Sequence, residues 1–176
     1  MKTLKVLFVL AVIGVISACG PSKDKKNNNI TILEETFSDQ SKGLDKVKAQ
    51  ELKDAYLEYA NLFPDDSLSP EYLFKAADIT MNIIDSRQAI NIYNRILADY
   101  PDFRKAPQCI FLKAFIFENN LNDLVNAKKY YLEFLEKYPE DDFADDAQIS
   151  LDNLGKSPEE LIREFETRLQ DSDKKQ

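Results

Sequence analysis

Tyr93-Asn94-Arg95-Ile96-Leu97-Ala98-Asp99-Tyr100-Pro101-Asp102 decides the fold, because it occurs three times in altered form. Tyr56-Leu57-Glu58-Tyr59-Ala60-Asn61-Leu62-Phe63-Pro64-Asp65 precedes it, and Tyr131-Leu132-Glu133-Phe134-Leu135-Glu136-Lys137-Tyr138-Pro139-Glu140 follows. Each copy has Tyr, a large residue three later, an aromatic four after that, then Pro and an acid. Positions i, i+3 and i+7 share one face of a helix. Pro then stops the helix, because it has no N–H for the ladder and its ring clashes with the preceding turn. The Pro-to-Pro steps are 37 and 38 residues. Self-similarity at that period predicts helical hairpins stacked in an array.

Working outward, each Pro is followed by a new helix start. Ser69-Pro70 reads as an N-cap with Pro at the first helical position, and Ala106-Pro107 places Pro similarly. Asp85 with Gln88, and Ser157-Pro158-Glu159-Glu160, read as capping boxes. Asp141, Asp142, Asp145 and Asp146 crowd another N-terminus, where the helix dipole favours anions. Helices are therefore expected near 44–63, 69–83, 86–100, 106–119, 122–138, 144–154 and 158–170. The short loops make neighbours antiparallel. Leu161, Ile162, Phe165 and Leu169 look like the apolar face of a final, capping helix.

Composition narrows the chemistry. The 176 residues contain no His, which excludes Ser-His and Cys-His catalysis and His-liganded metals. Only four Gly suit a helical chain better than a turn-rich β fold. The net charge of -8 argues against nucleic acid, whose affinity comes largely from Lys and Arg on phosphates. The acidic cluster lacks the Gly turn and ligand spacing of a calcium loop. No phosphate loop, nucleophile elbow or Cys-rich metal spacing is present. No cofactor or metal is expected. The chain reads as a non-enzyme, with a carboxylate hydrolase using acids such as Asp141 and Asp145 as the least favoured reading.

The first residues look like an address. Lys2 and Lys5 precede an almost unbroken apolar run from Val6 to Ala18, followed by Cys19. That run of 13 residues suits a secretory signal. It is too short for a transmembrane span, which needs about 20 apolar residues. Ile16-Ser17-Ala18-Cys19 resembles the bacterial lipobox. The resemblance implies cleavage before Cys19 and lipidation of its sulfur and new amine. Gly20, not Asp, follows, so the same resemblance implies the outer membrane, with the domain expected to face the periplasm. Removing residues 1–18 takes away two Lys and no acid, so the remainder is still more negative. Cys109 is then the one free thiol, in an apolar helical run where a small core residue is expected.

The expected organisation is a signal peptide over 1–18, a lipidated N-terminus and flexible tether over 19–43, a helical domain over 44–172 and a tail over 173–176. Gly20-Pro21-Ser22 and Asn27-Asn28-Asn29 carry no apolar pattern. A short helix from Thr31 to Ser38 is suggested by Ile30, Leu33 and Phe37.

The helix pairs resemble tetratricopeptide repeats (TPR). Ala77 and Ala114 match the small residue of helix A. Ala89 with Tyr93, and Ala127 with Tyr131, match the pair in helix B, and Pro101 and Pro139 match the close. Leu52, Tyr56 and Pro64 match a weaker first copy. The likeness covers about residues 44–170. Lys113 departs by occupying a usually apolar site, and Asp152 stands where the next small residue would be. The expected fold is an all-α solenoid of about three hairpins plus a capping helix. A lipobox followed by TPRs of this Tyr-Pro-Asp style is similar to the small outer-membrane lipoproteins related to BamD, of the β-barrel assembly machinery. The periplasmic TPR coordinator of the Tol–Pal system is a second relative in style.

The family implies a peptide groove lined by the A helices. Counting from the small residue, its lining would be Glu71, Phe74 and Asp78, then Gln108, Phe111, Phe115 and Glu118. Phe side chains flanked by acids suit a peptide with apolar anchors and basic flanks. Cys109–Leu112 and Phe115–Phe117 are also apolar nearly all round, so Phe111 and Phe115 fit a buried core equally. The expected role is a membrane-tethered scaffold for an envelope protein or peptide, in outer-membrane protein assembly. The other reading is a structural lipoprotein joining the outer membrane to other envelope components.

Overall fold

The computed structural model describes residues 22–38 and 45–173. The signal segment, Cys19 and the last three residues lie outside the described residues. Every regular element among the described residues is helical: α1 (Lys23–Ser38), α2 (Lys46–Leu62), α3 (Leu68–Ile79), α4 (Ser86–Asp99), α5 (Ala106–Phe115), α6 (Leu124–Lys137), α7 (Ala144–Asn153) and α8 (Pro158–Asp173). A single π-helical turn extends α3 over Thr80–Ile84, and another extends α5 over Ile116–Asn120.

The repeated tenmer folds the same way each time. At its i+3 position Tyr59, Ile96 and Phe134 are all fully buried. Phe63, Tyr100 and Tyr138, before the three prolines, have φ between -131 and -137 and ψ between 56 and 59. That leaves the helix, and the following N–H groups of Asp66, Phe103 and Asp141 return to their carbonyls at 3.0, 3.0 and 3.2 Å. One turn geometry, used three times, reverses the chain into the next hairpin.

Caps fix the other ends. Asp45 accepts from the N–H of Val47 and Lys48, Asp85 from Arg87, and Asp123 from Asn126. Ser157 and Glu160 form the expected capping box at 3.2 and 2.8 Å. The α3 start differs from expectation. The helix begins at Leu68, whose N–H donates to Asp66, and Ser69 instead donates its hydroxyl to the Phe63 carbonyl at 2.6 Å.

The core lies in three successive layers. Ile30, Leu52, Tyr56, Tyr59 and Tyr72 fill the first, between α1, α2 and α3. Leu73, Ala77, Tyr93, Ile96 and Cys109 fill the second, and Ala114, Ala127, Tyr131, Phe134 and Ala147 the third. The small residues read as contact points, Ala77, Ala89, Ala114 and Ala127, are all fully buried, so helices approach closely there. Lys113 is only 5% exposed. Its stem lies in the core while Nζ sits 3.9 Å from the centroid of the Tyr130 ring, which reconciles the charge with an apolar site. Asp152 is exposed and takes no part in the third layer, where Leu151 packs instead.

Two ends depart from expectation. The helix expected at 31–38 starts at Lys23, so residues 23–29 are helical rather than tether. Tertiary contacts override the poor helix propensity of the Asn run: Ile30 is buried, the Tyr72 hydroxyl donates to Asn27, Lys26 pairs with Glu58 at 2.5 Å and Lys23 pairs with Asp66. Helix α1 thereby joins α2 as a first hairpin. At the other end, the apolar stripe of α8 is more open to water than its pattern suggests. Leu161, Ile162 and Phe165 are 36%, 58% and 62% exposed. Gly155, at φ +77, turns the chain after α7, and the start of α8 is held by a Lys156–Glu164 pair at 2.8 Å. The side chain of Leu169 lies outside the described residues.

Candidate functional site

The first helices of successive hairpins, α1, α3 and α5, are bridged to one another. Lys75 of α3 pairs with Glu34 of α1 at 2.6 Å. Glu71 of α3 receives Arg104 and Lys105, at the entry to α5, at 2.9 and 2.8 Å. The Phe74 ring meets Phe103 at 6.4 Å and lies 4.7 Å from Lys105 Nζ. These contacts set a continuous face made of the first helices.

Helix periodicity then picks out what that face presents. On α3 the outward stripe is Glu71, Lys75 and Asp78, with Asn82 one turn on. On α5 the same spacing gives Gln108, Leu112 and Phe115, with Asn119 following. On α7 it gives Asp145, Ile149 and Asp152. Phe115 is 39% exposed and Ile149 58% exposed, on a face that also carries Lys75, Asp78, Asp145 and Asp152.

The structure sorts the seven residues expected to line a groove. Asp78, Phe115 and the half-buried Gln108 fall on the stripe. Glu71 and Phe74 lie at its edge, engaged with Arg104, Lys105 and Phe103. Phe111 belongs to the core. It is 9% exposed and packs against Tyr131, Phe134 and Phe143 with ring centroids 5.2 to 5.9 Å apart. Phe111 lies four residues, a little over one helical turn, from Phe115, yet its ring points between α6 and α7. Glu118 lies inward as well, accepting the Tyr131 hydroxyl at 2.7 Å. Lys75 and Ile149 were missed. Carrying the repeat spacing one step past Leu112 would have found Ile149.

Electrostatics follow the packing. Burial pushes the Glu71 carboxyl upward, but the hydrogen bonds and charges of Lys105 and Arg104 together outweigh it and leave it below the ordinary glutamate value. Glu34 behaves likewise: burial raises it, while Lys75 and the Tyr56 hydroxyl bring it below that value. Tyr93 is the exception among the core tyrosines. Its hydroxyl is buried without a hydrogen-bond partner among the described residues. Burial, then the nearby charge of Asp78, pushes it far above its usual range. Asp141 serves as a turn cap, accepting from the Phe143 N–H at 3.0 Å. Among the described residues, no group of three or more Asp, Glu or Cys is placed to hold a metal ion.

Residues 71–102 and 108–141 each match the family model described as tetratricopeptide repeat. Both segments are thus similar to tetratricopeptide repeats. They span α3–α4 and α5–α6, the two hairpins at the centre of the stack. No curated protein and no solved structure gives a significant match to the chain. TPRs are protein-interaction modules, and the similarity supports a protein-binding scaffold.

Proposed function

We propose that this chain is a lipid-anchored scaffold of the bacterial cell envelope, holding an envelope protein or peptide on the A-helix face of its TPRs. The reading rests on one observation above all: Phe115 and Ile149 are exposed on first helices that also expose Asp78, Asp145 and Asp152, with Lys75 the one exposed cation of the stripe and already paired with Glu34. Such a surface suits a segment with apolar anchors and basic flanks. Ile16-Ser17-Ala18-Cys19 supports the anchor, and Gly20 supports placement in the outer membrane, facing the periplasm. Outer-membrane protein assembly is the process to which the resemblance to BamD-related lipoproteins points.

The start of α1 at Lys23 sharpens the picture. Only residues 20–22 separate it from Cys19, a reach of roughly 14 Å at full extension. A lipid on Cys19 would therefore hold the repeats close to the bilayer, raising the local concentration of partners confined there. Lys23 and Lys26 are already paired with Asp66 and Glu58, so they add little attraction to anionic headgroups.

A photoreactive residue at Phe115, in cells, is expected to trap a discrete envelope protein. Recovery of only peptidoglycan or lipid would instead favour the structural-linker reading. Cys19→Ser is expected to move the protein from membranes to the soluble fraction, and a variant that still sediments with membranes would defeat the anchor.

A further inference from the structure

At the start of the same face, between α1, α2 and α3, lies an open cavity of about 300 Å³. Its floor is apolar, made by Leu52, Ile79, Phe37 and the Tyr56 ring. Leu52 and Tyr56 are each 2% exposed and Ile79 9%, so the floor is fixed by the core beneath it. Three charged groups stand at its edge: Glu34, Lys75 and Asp78.

Two of the three are satisfied by each other. Glu34 Oε1 accepts from Lys75 Nζ and from the Tyr56 hydroxyl, both at 2.6 Å. Asp78 is different. Its carboxylate accepts from the neutral Asn82 side chain at 3.1 Å, and no Lys or Arg pairs with it among the described residues. The cavity is thus a short apolar slot with one uncompensated negative charge at its rim.

That combination selects a side chain with an apolar stem and a cationic tip. A purely aliphatic occupant would strip water from Asp78 and give nothing back, which is costly. An acidic occupant would meet both Asp78 and Glu34. Lysine satisfies the charge as a point, whereas the guanidinium of arginine can bind a carboxylate through two parallel hydrogen bonds and stack on an aromatic ring. The half-buried Phe37 supplies the ring, since the Tyr56 face is already covered by Tyr72 and Lys75.

We propose that the cavity between α1, α2 and α3 receives an arginine side chain of the bound partner, its stem on Leu52 and Ile79 and its guanidinium on Asp78. This rests on the A-helix face being the docking surface, and it names a basic residue that the partner must present there.

The test uses the full chain in detergent, labelled at Ile methyl groups, titrated with N-acetyl-arginine amide and, in parallel, the leucine and glutamate analogues. The arginine compound is expected to shift the Ile79 methyl resonance saturably. Asp78→Asn should weaken that binding tenfold or more, while Glu136→Gln, an exposed acid on α6, should leave it unchanged. The leucine compound binding as well as the arginine one, or Asp78→Asn binding like the parent, overturns the inference. If arginine fails to bind while the probe at Phe115 still traps a protein, only the inference falls. If arginine binds and Phe115 traps nothing, the scaffold reading falls and the arginine site stands.

Discussion

The Tyr131 hydroxyl donates to the Glu118 carboxylate at 2.7 Å, tying α6 to the π turn that ends α5. Tyr56 makes the corresponding bond to Glu34 in the first hairpin. Tyr93, at the same place in the middle hairpin, has no such partner and is fully buried. A buried hydroxyl left unpaired is destabilising, whereas a satisfied one contributes about 0.5–1.5 kcal/mol. Tyr93→Phe should therefore be neutral or raise stability by up to about 1 kcal/mol. Tyr131→Phe should lower it by about 1 kcal/mol. Urea unfolding of both variants checks the contrast, and the reverse order would refute it.

Ala114 tests the register of the repeats. It is fully buried in the third layer with Ala127 and Tyr131, at the place where α5 and α6 come together. Ala114→Leu has no room and should cost about 1–3 kcal/mol through overpacking. In a chain of this size that lowers the thermal midpoint by roughly 2–4 °C per kcal/mol. An unchanged midpoint in calorimetry would mean that the hairpins meet elsewhere.

Much of this architecture was legible because local and tertiary signals agree. Pro64, Pro101 and Pro139 mark identical turns, and Asp85 and Ser157 cap the helices that they announce. The π turns left no readable trace, since Thr80–Ile84 and Ile116–Asn120 differ in sequence and share only their place in the hairpin. Helix α1 was hidden because Asn27–Asn29 disfavour a helix by themselves, and only contacts from α2 and α3 settle them. Phe111 and Phe115 could not be told apart from pattern, because the surrounding run is apolar on every side. Which of them faces water depends on where α6 and α7 sit. The stripe of α8 reads as a capping face because amphipathic pattern says that a partner is wanted, not how much of the stripe this chain covers.

Cys109 offers a reading of how tightly the second layer is closed. Its side chain is fully buried, and burial pushes its thiol up to about 12, with Lys113 and Lys105 pulling only weakly the other way. The thiolate is the reactive form. In a Cys19→Ser background, where Cys109 is the one remaining cysteine, a disulfide reagent at neutral pH should label the native chain far more slowly than the urea-unfolded chain. Comparable rates would show that the layer opens readily around Tyr93 and Ile96.

Glu71 predicts a pH dependence of definite sign. Its carboxyl is held below the ordinary value of about 4.3 by Lys105 and Arg104 against the opposing effect of burial. A depressed folded value means that the ionised form is the one the fold prefers. The contribution is therefore complete above pH of about 4.3 and disappears as pH falls through the lower, folded value. Arg104 is largely exposed, so solvent screening keeps the pair's contribution below about 1 kcal/mol. Glu71→Gln should lower the thermal midpoint slightly at pH 7, and the midpoints of variant and parent should converge as pH drops below about 4. Added salt should shrink the difference at pH 7, because the Arg104 arm lies in water. A gap that persists at low pH would mean that Glu71 acts by packing between α3 and α5 rather than through its charge.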